Sequence, residues 1–115
     1  MSKLKLVLSA LALTAAVNVF AHGTMAMTYP KDGAMLMAQA ERVEIHFQNP
    51  MKVVSLKVVG SKGNPVSIDF DLNSGATQRF KLALPKLASD SYTVEWKAMG
   101  GDGHMMKGSY SFIQH

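Results

Sequence analysis

Short segments in which apolar and polar residues alternate dominate this chain and leave few folds open to it. In RVEIHFQ (42–48), every second residue from Val43 to Phe47 is apolar and the residues between are polar. Successive side chains of a β-strand point to opposite faces, so this alternation predicts a strand with one buried face. No segment has a sustained helical period, although AMLMAQAE (34–41) is compatible with one helical turn. The pattern therefore predicts an all-β protein.

Segments of this kind recur along the chain and are separated by turns rich in glycine, proline, asparagine and aspartate. We predict seven strands, at residues 24–29, 42–48, 52–60, 66–72, 78–84, 92–99 and 107–113. So many short strands in a chain of this length favour a seven-stranded, immunoglobulin-like (Greek-key) β-sandwich or barrel. Tyr92 begins a late strand after a short loop, where such folds form a tyrosine corner.

Residues 1–21 have the layout of a cleaved signal peptide. Two lysines precede a mostly apolar run (6–17), and Val19 and Ala21 stand at the small-residue positions before a cut. The apolar run is shorter than the roughly 20 residues that a membrane-spanning helix needs. We therefore expect export of a single domain that comprises residues 22–115.

The composition of residues 22–115 argues against several functions. These 94 residues (115 minus 21) suffice for one small domain. Their formal charge is only +2, from ten Lys and Arg against eight Asp and Glu, and there is no basic stripe, so nucleic acid is not an expected partner. The chain has no cysteine and therefore neither a disulfide nor a thiolate ligand. It also lacks a nucleophile elbow and a phosphate-binding loop.

A cut after residue 21 would make His22 the first residue of the chain. Its α-amine, with an ordinary pKa of about 7.7–8.0, can lose its proton to a metal and close a chelate ring with the imidazole. Two further donors, Asp102 and His104, stand two positions apart in the turn GGDGH (100–104). In extended backbone, such side chains project to the same side. Three nitrogens and one oxygen in a tetragonal plane suit Cu(II).

Each of these features is also compatible with a purely structural role. Asp-Gly is a common hairpin dipeptide, so Asp102 could serve the turn alone. A lone histidine at a strand end is most often solvated. We also interpret His46, which points outward in mid-strand, and the terminal His115 as solvated, with His46 left open as a weak extra ligand. A leading histidine and an Asp-Gly-His turn in one small exported domain together favour a metal site.

The sequence resembles the CopC family of periplasmic copper-resistance proteins, which are small copper-binding β-sandwiches. The resemblance covers nearly all of residues 22–115. It lies in the leading histidine and in four segments, YPKDGAML (29–36), VEIHFQNPM (43–51), LPKLASDSYTVEWKAM (84–99) and GDGHMMKGSYSF (101–112).

The resemblance implies a periplasmic copper carrier or buffer without enzymatic activity. Its ligands for Cu(II) would be His22, Asp102 and His104, because these positions match those of the family. Its implied partner is a membrane copper transporter or another copper-resistance component. This chain departs from the family at Thr24, where a second histidine is common, and at Met105, where a proline often follows the turn. The long methionine-rich loop that some members use for Cu(I) is also missing.

Eight methionines in residues 22–115 leave a different Cu(I) site open. Thioethers are soft ligands that select Cu(I), and Met105 and Met106 are the candidates because they directly follow His104. The alternative is that methionine fills gaps in the core. Under that interpretation, Met25 and Met27 share an inward face of the first strand.

Two other functions remain open at this point. An N-terminal histidine brace also serves copper monooxygenases, which add a second histidine to the brace and present a broad substrate surface, usually on a longer chain. The aspartate at position 102 and the short chain make this enzyme the weaker alternative. The other alternative is a metal-free immunoglobulin-like assembly module, for which a Cu(II) titration would be flat.

Overall fold

The computed structural model describes residues 25–115, so the predicted signal peptide, His22 and Thr24 lie outside the described residues. The described part is all-β, as predicted, and holds six strands. Their bounds are β1 Met25–Tyr29, β2 Met35–Leu36, β3 Arg42–Gly60, β4 Thr77–Ala83, β5 Asp90–Gly100 and β6 Met105–Gln114. No helix among these residues has the length and hydropathy needed to cross a bilayer.

The long strand β3 belongs to both halves of the sheet. Its first part, residues 42–47, pairs antiparallel with β1 through residues 44–47 on one side and with β4 through residues 42–46 on the other. Its second part, residues 51–60, pairs antiparallel with β5, which in turn pairs with β6. The short strand β2 lies parallel to β6 at the edge. The two halves of the sheet are therefore joined through a single strand.

The two halves curl around one buried core. Phe47 from the first half meets Trp96 of β5 edge to face, with ring centroids 5.3 Å apart. Such an aromatic pair adds about 0.5–1.5 kcal/mol beyond the burial of its surface. The alternation that predicted inward side chains is confirmed for the central strands, whose buried members include Val43, Ile45, Val94, Trp96, Ala98, Tyr110 and Phe112.

The hydrogen bond expected for the tyrosine corner is also present. Tyr92 is buried, and its hydroxyl donates to the carbonyl oxygen of Ala88 over 2.7 Å. The donor and acceptor are four residues apart, as in the tyrosine corner expected from the sequence. This bond ties the loop before β5 to the first residues of that strand.

The strand count in residues 25–115 is six and not seven, because two predicted strands merge into one, one predicted strand does not form, and one short strand, β2, was not predicted. The segments 42–48 and 52–60 form one strand, since the pairing with β4 shifts register between His46 and Met51. Pro50 lies inside this shift, where its missing N–H breaks no regular ladder. The segment 66–72 forms no strand, although its alternation still turns three side chains towards the core, those of Val66, Ile68 and Phe70.

The segment around β2 differs from its prediction as well. Residues 35 and 36 form a parallel strand and not a helical turn. The N–H groups of Ile113 and His115 donate to the carbonyl oxygens of Ala34 and Leu36, both over 2.8 Å. Pairing with the end of β6 therefore satisfies backbone groups that a single helical turn would leave without partners.

Candidate metal centre at the Asp-Gly-His turn

The turn between β5 and β6 is a tight hairpin that glycine makes possible. The N–H of Gly103 donates to the carbonyl oxygen of Gly100, and the N–H of Gly100 donates to that of His104, both over 3.0 Å. Gly103 has a φ of 83°, in the left-handed region that residues with a β-carbon rarely adopt. Gly103 therefore allows the tight turn between β5 and β6. Its conformation also sets the directions in which the side chains of Asp102 and His104 project.

The side chains of Asp102 and His104 meet across Gly103. Oδ1 of Asp102 accepts a hydrogen bond from the backbone N–H of His104 over 3.0 Å, and Oδ2 lies 2.7 Å from Nδ1 of the imidazole. Both side chains are open to solvent, with 67% of Asp102 and 82% of His104 exposed. A carboxylate and an imidazole are therefore held together at the surface.

The contact alters the ionisation of both groups. The hydrogen bond to Asp102, helped by its negative charge, raises the pKa of His104 above its usual value. The side-chain hydrogen bond from His104, together with its backbone N–H, lowers the pKa of Asp102. With Nδ1 engaged by the carboxylate, Nε2 of His104 is the ring nitrogen that remains for a metal ion.

The turn and the start of β1 lie on the same side of β3, because β4 occupies its other side at both places. Met25 pairs with Phe47, and Gly100 pairs with Met51, only four residues further along β3. Because β1 and β5 both run antiparallel to β3, β1 begins and β5 ends near the middle of β3. Thr77, the first residue of β4, also pairs with Met51.

Asp102 and His104 are two donors and do not by themselves complete a metal site. Within residues 25–115 there is no group of three or more His, Asp and Glu side chains placed to hold one ion. The third predicted ligand, His22, lies outside the described residues. Its role in binding therefore stays a prediction.

The candidate Cu(I) ligands Met105 and Met106 lie on opposite faces of β6, and their role in binding stays a prediction. Met105 is half exposed and pairs with Met99 of β5, whereas Met106 pairs with Ala98 and packs against the core. Neighbouring residues of a strand point in opposite directions, and the sequence-based choice of two consecutive methionines overlooked this constraint.

The prediction that Met25 and Met27 share an inward face is wrong. The pairing of β1 with β3 shifts register between these residues, as at a β-bulge. Met25 packs against the core, whereas Met27 is 51% exposed. The extra residue of the bulge thus turns Met27 to the outer face.

Sequence reasoning also missed the surroundings of His46. Its side chain is not freely solvated, because only 21% of it is exposed. Nε2 of His46 lies 2.8 Å from Oε2 of Glu44, and the other oxygen of Glu44 accepts a hydrogen bond from Arg42. The signal was available in the spacing of Arg42, Glu44 and His46, three polar residues on the outer face of one strand.

This fold and turn define a small all-β domain that presents a paired carboxylate and imidazole at one end. Residues 25–115, all of the described part, match the CopC domain family. The chain belongs to the CopC family.

Two relatives whose names refer to copper have similar sequences. Copper transport protein CutJ of Bacillus subtilis is 32% identical over 100 residues, which cover 81% of this chain but only 18% of that protein. Copper resistance protein C of Escherichia coli is 24% identical over 112 residues, covering 89% of this chain and 88% of the relative. The chain thus spans less than a fifth of CutJ and most of copper resistance protein C.

A solved structure has the same fold. The crystal structure of CopC from Methylosinus trichosporium OB3b superposes with a TM-score of 0.67 at 22% identity. The superposition covers 81% of this chain and 93% of that one.

Proposed function

We propose that this chain is a periplasmic copper-binding protein that carries or buffers Cu(II) in copper resistance or homeostasis and is not an enzyme. The ligands are the amine and imidazole of His22, the carboxylate of Asp102 and the imidazole of His104. The observation that carries the proposal is the contact of Asp102 with His104 in a turn that lies near the start of β1.

Chain geometry supports a contribution from His22. This residue precedes Met25 by three positions. Three residues of extended chain reach at most about 10 Å, a span that would allow a ligand at position 22 to meet the turn. A cut after residue 21 would free its amine for binding.

The chemistry of the donor set supports Cu(II) as the cargo. Imidazole and amine nitrogens with one carboxylate oxygen favour Cu(II) over the other divalent ions of the first transition row. Asp102 has two possible roles: its carboxylate can bind the ion, or it can orient the imidazole through Nδ1 while Nε2 binds. Both roles need the same turn.

Exposure of the turn supports a carrier. Because the side chains of Asp102 and His104 are mostly open to solvent, ligands of a second protein can reach a bound ion without unfolding of the domain. The second protein that we propose is a membrane copper transporter or another resistance component; the names of CutJ and copper resistance protein C, which refer to copper transport and copper resistance, support this choice.

The decisive experiment is electron paramagnetic resonance of the chain that begins at His22, with one equivalent of Cu(II). We expect nitrogen donors in a tetragonal field. A variant with one extra residue before His22 should lose the amine, and His104→Ala should lose an imidazole, whereas His115→Ala at the far end of β6 should leave the spectrum unchanged. An identical spectrum in the extended variant would refute the chelate. A flat titration would favour a metal-free module.

A further inference from the structure

The bulge in β1 brings together, away from the turn, two side chains of the types that bind soft metal ions, a thioether and an imidazole. Met27 is the direct cross-strand partner of His46. Ile45 is fully buried, so its neighbour His46 points to the outer face, and Met27 points the same way. Directly opposed β-carbons lie about 4.5–5.5 Å apart, so the flexible thioether of Met27 can reach the imidazole of His46.

His46 is held as metal-binding histidines usually are. Its Nε2 donates to Oε2 of Glu44 over 2.8 Å, which fixes the ring and leaves Nδ1 as the nitrogen that can accept a metal. Glu44 is only 7% exposed and also accepts a hydrogen bond from Arg42. The guanidinium of Arg42 lies 4.4 Å from the ring centre of Tyr29. The imidazole is thus positioned through a carboxylate that is itself fixed.

We propose that Met27 and His46 form a binding site for a soft monovalent cation, Cu(I), on the outer face of β1 and β3. The thioether sulfur and Nδ1 are the donors, and Glu44 is a positioning residue. A thioether selects Cu(I), and imidazole suits copper in either oxidation state. The site uses neither side chain of the Asp-Gly-His turn, and it does not depend on binding of Cu(II) there.

The charges around the pair favour a monovalent ion. Arg79 of β4 is the other cross-strand partner of His46, and Lys81 is the partner of Glu44. Both are exposed, so their repulsion of a bound cation is screened but not removed. This repulsion grows with the charge of the ion, and it therefore disfavours Cu(II) more than Cu(I).

The exposed pair Met99 and Met105 is the competing location. These residues are direct partners at the end of the last hairpin, on the outer face of β5 and β6. Their neighbourhood differs from that of Met27, because Lys52 pairs with Met99, and the next cross-strand pair on the same face is Lys97 with Lys107. No histidine is the cross-strand partner of either methionine, so the pair lacks the positioned nitrogen that His46 provides.

Nuclear magnetic resonance with Ag(I), a stable substitute for Cu(I), tests the site. In the chain that begins at His22, we expect Ag(I) to shift the methyl resonance of Met27 and the Nδ1 resonance of His46. Met27→Leu should abolish the His46 shift, whereas Met37→Leu, at another exposed methionine, should not. Unmoved Met27 and His46 resonances would overturn the proposal. So would loss of binding in Met105→Leu with full binding in Met27→Leu.

Two further variants test the positioning role of Glu44 and the independence of this site from the Cu(II) chelate. Glu44→Gln should weaken binding of Cu(I) by about tenfold or more, measured by competition with a chromophoric chelator, because the imidazole loses its charged partner. Circular dichroism would verify that this variant is folded. One extra residue before His22 should remove the Cu(II) chelate and leave the Ag(I) shifts intact, so the two proposals fail independently. Loss of both would show that Met27 and His46 do not form a separate site.

Discussion

Met51 and Gly100 are cross-strand partners directly below the Asp-Gly-His turn. Met51 is buried, and its sulfur lies 3.5 Å from the position that a β-carbon on Gly100 would occupy. Met51 also pairs with Thr77, so it connects the turn both to the core and to β4. The two exposed side chains of the candidate metal centre therefore lie above a packed base that Met51 and Gly100 form.

Replacement of Met51 should show how much this base contributes to stability. Met51→Ala should lower the free energy of unfolding by about 2–5 kcal/mol, because it leaves a cavity at a buried site. Met51→Leu keeps most of the volume and should cost less than about 1.5 kcal/mol. Urea denaturation followed by Trp96 fluorescence would measure both. Equal stability of Met51→Ala and the native chain would show that the turn does not depend on this contact.

The left-handed conformation of Gly103 should make the stability of the domain sensitive to substitution at this position. Gly103→Ala forces a β-carbon into the left-handed region and should cost about 1–2 kcal/mol. Gly101→Ala is the matched control, since its added β-carbon would meet nothing within 4 Å and it has no positive φ. Thermal unfolding of both variants measures the difference. Similar melting temperatures would contradict the role assigned to Gly103.

Asp102 should control the ionisation of His104 in the metal-free protein. Because the carboxylate raises the pKa of this imidazole, Asp102→Asn should shift its titration to lower pH. Resonances of the His104 ring protons, followed across neutral pH in the native chain and in the variant, measure this shift. An unchanged titration of His104 would mean that the hydrogen bond does not persist in solution.

In the metal-free domain, protonation of Glu44 in acid should lower the free energy of unfolding. Hydrogen bonds from Arg42 and His46 lower the pKa of Glu44 from its ordinary 4.5 to about 2, with Lys81 adding its charge and Tyr29 facing it from β1. Because this pKa is lower in the folded state, the contribution is complete above about pH 4.5 and is lost as the pH falls towards 2.

The variant Glu44→Gln isolates this contribution. Its free energy of unfolding should fall less steeply than that of the native chain between pH 4.5 and 2, the interval set by the two pKa values. Glu41→Gln, at an exposed carboxylate that forms no ion pair within residues 25–115, should keep the native slope. Parallel curves for the native chain and Glu44→Gln would contradict the assignment.

The sequence predicted burial better than it predicted hydrogen bonding. Alternation identified the inward side chains of β5 and β6, since burial on one face needs only every second residue to be apolar. Alternation could not distinguish a strand from an irregular segment at residues 66–72, because in both cases every second side chain packs against the core. It also could not show that β3 continues through Pro50, which depends on a register shift between separate strands.

The sequence predicted only those parts of the candidate site that neighbouring residues of the chain form. Asp102, Gly103 and His104 are consecutive, and the turn chemistry is visible in their order. The opposition of Met27 and His46 was not visible, because one extra residue in β1 reverses the face of every residue before it. The choice of Met105 with Met106 also did not take account of the strand, in which consecutive side chains point to opposite faces.

The continuity of β3 also governs how the domain responds to its ligand. One strand contributes to both half-sheets, so neither half can melt while the other keeps all its backbone partners. A copper ion held at the hairpin would therefore raise the melting temperature of the whole domain and slow hydrogen exchange even at the distant edge beside β2.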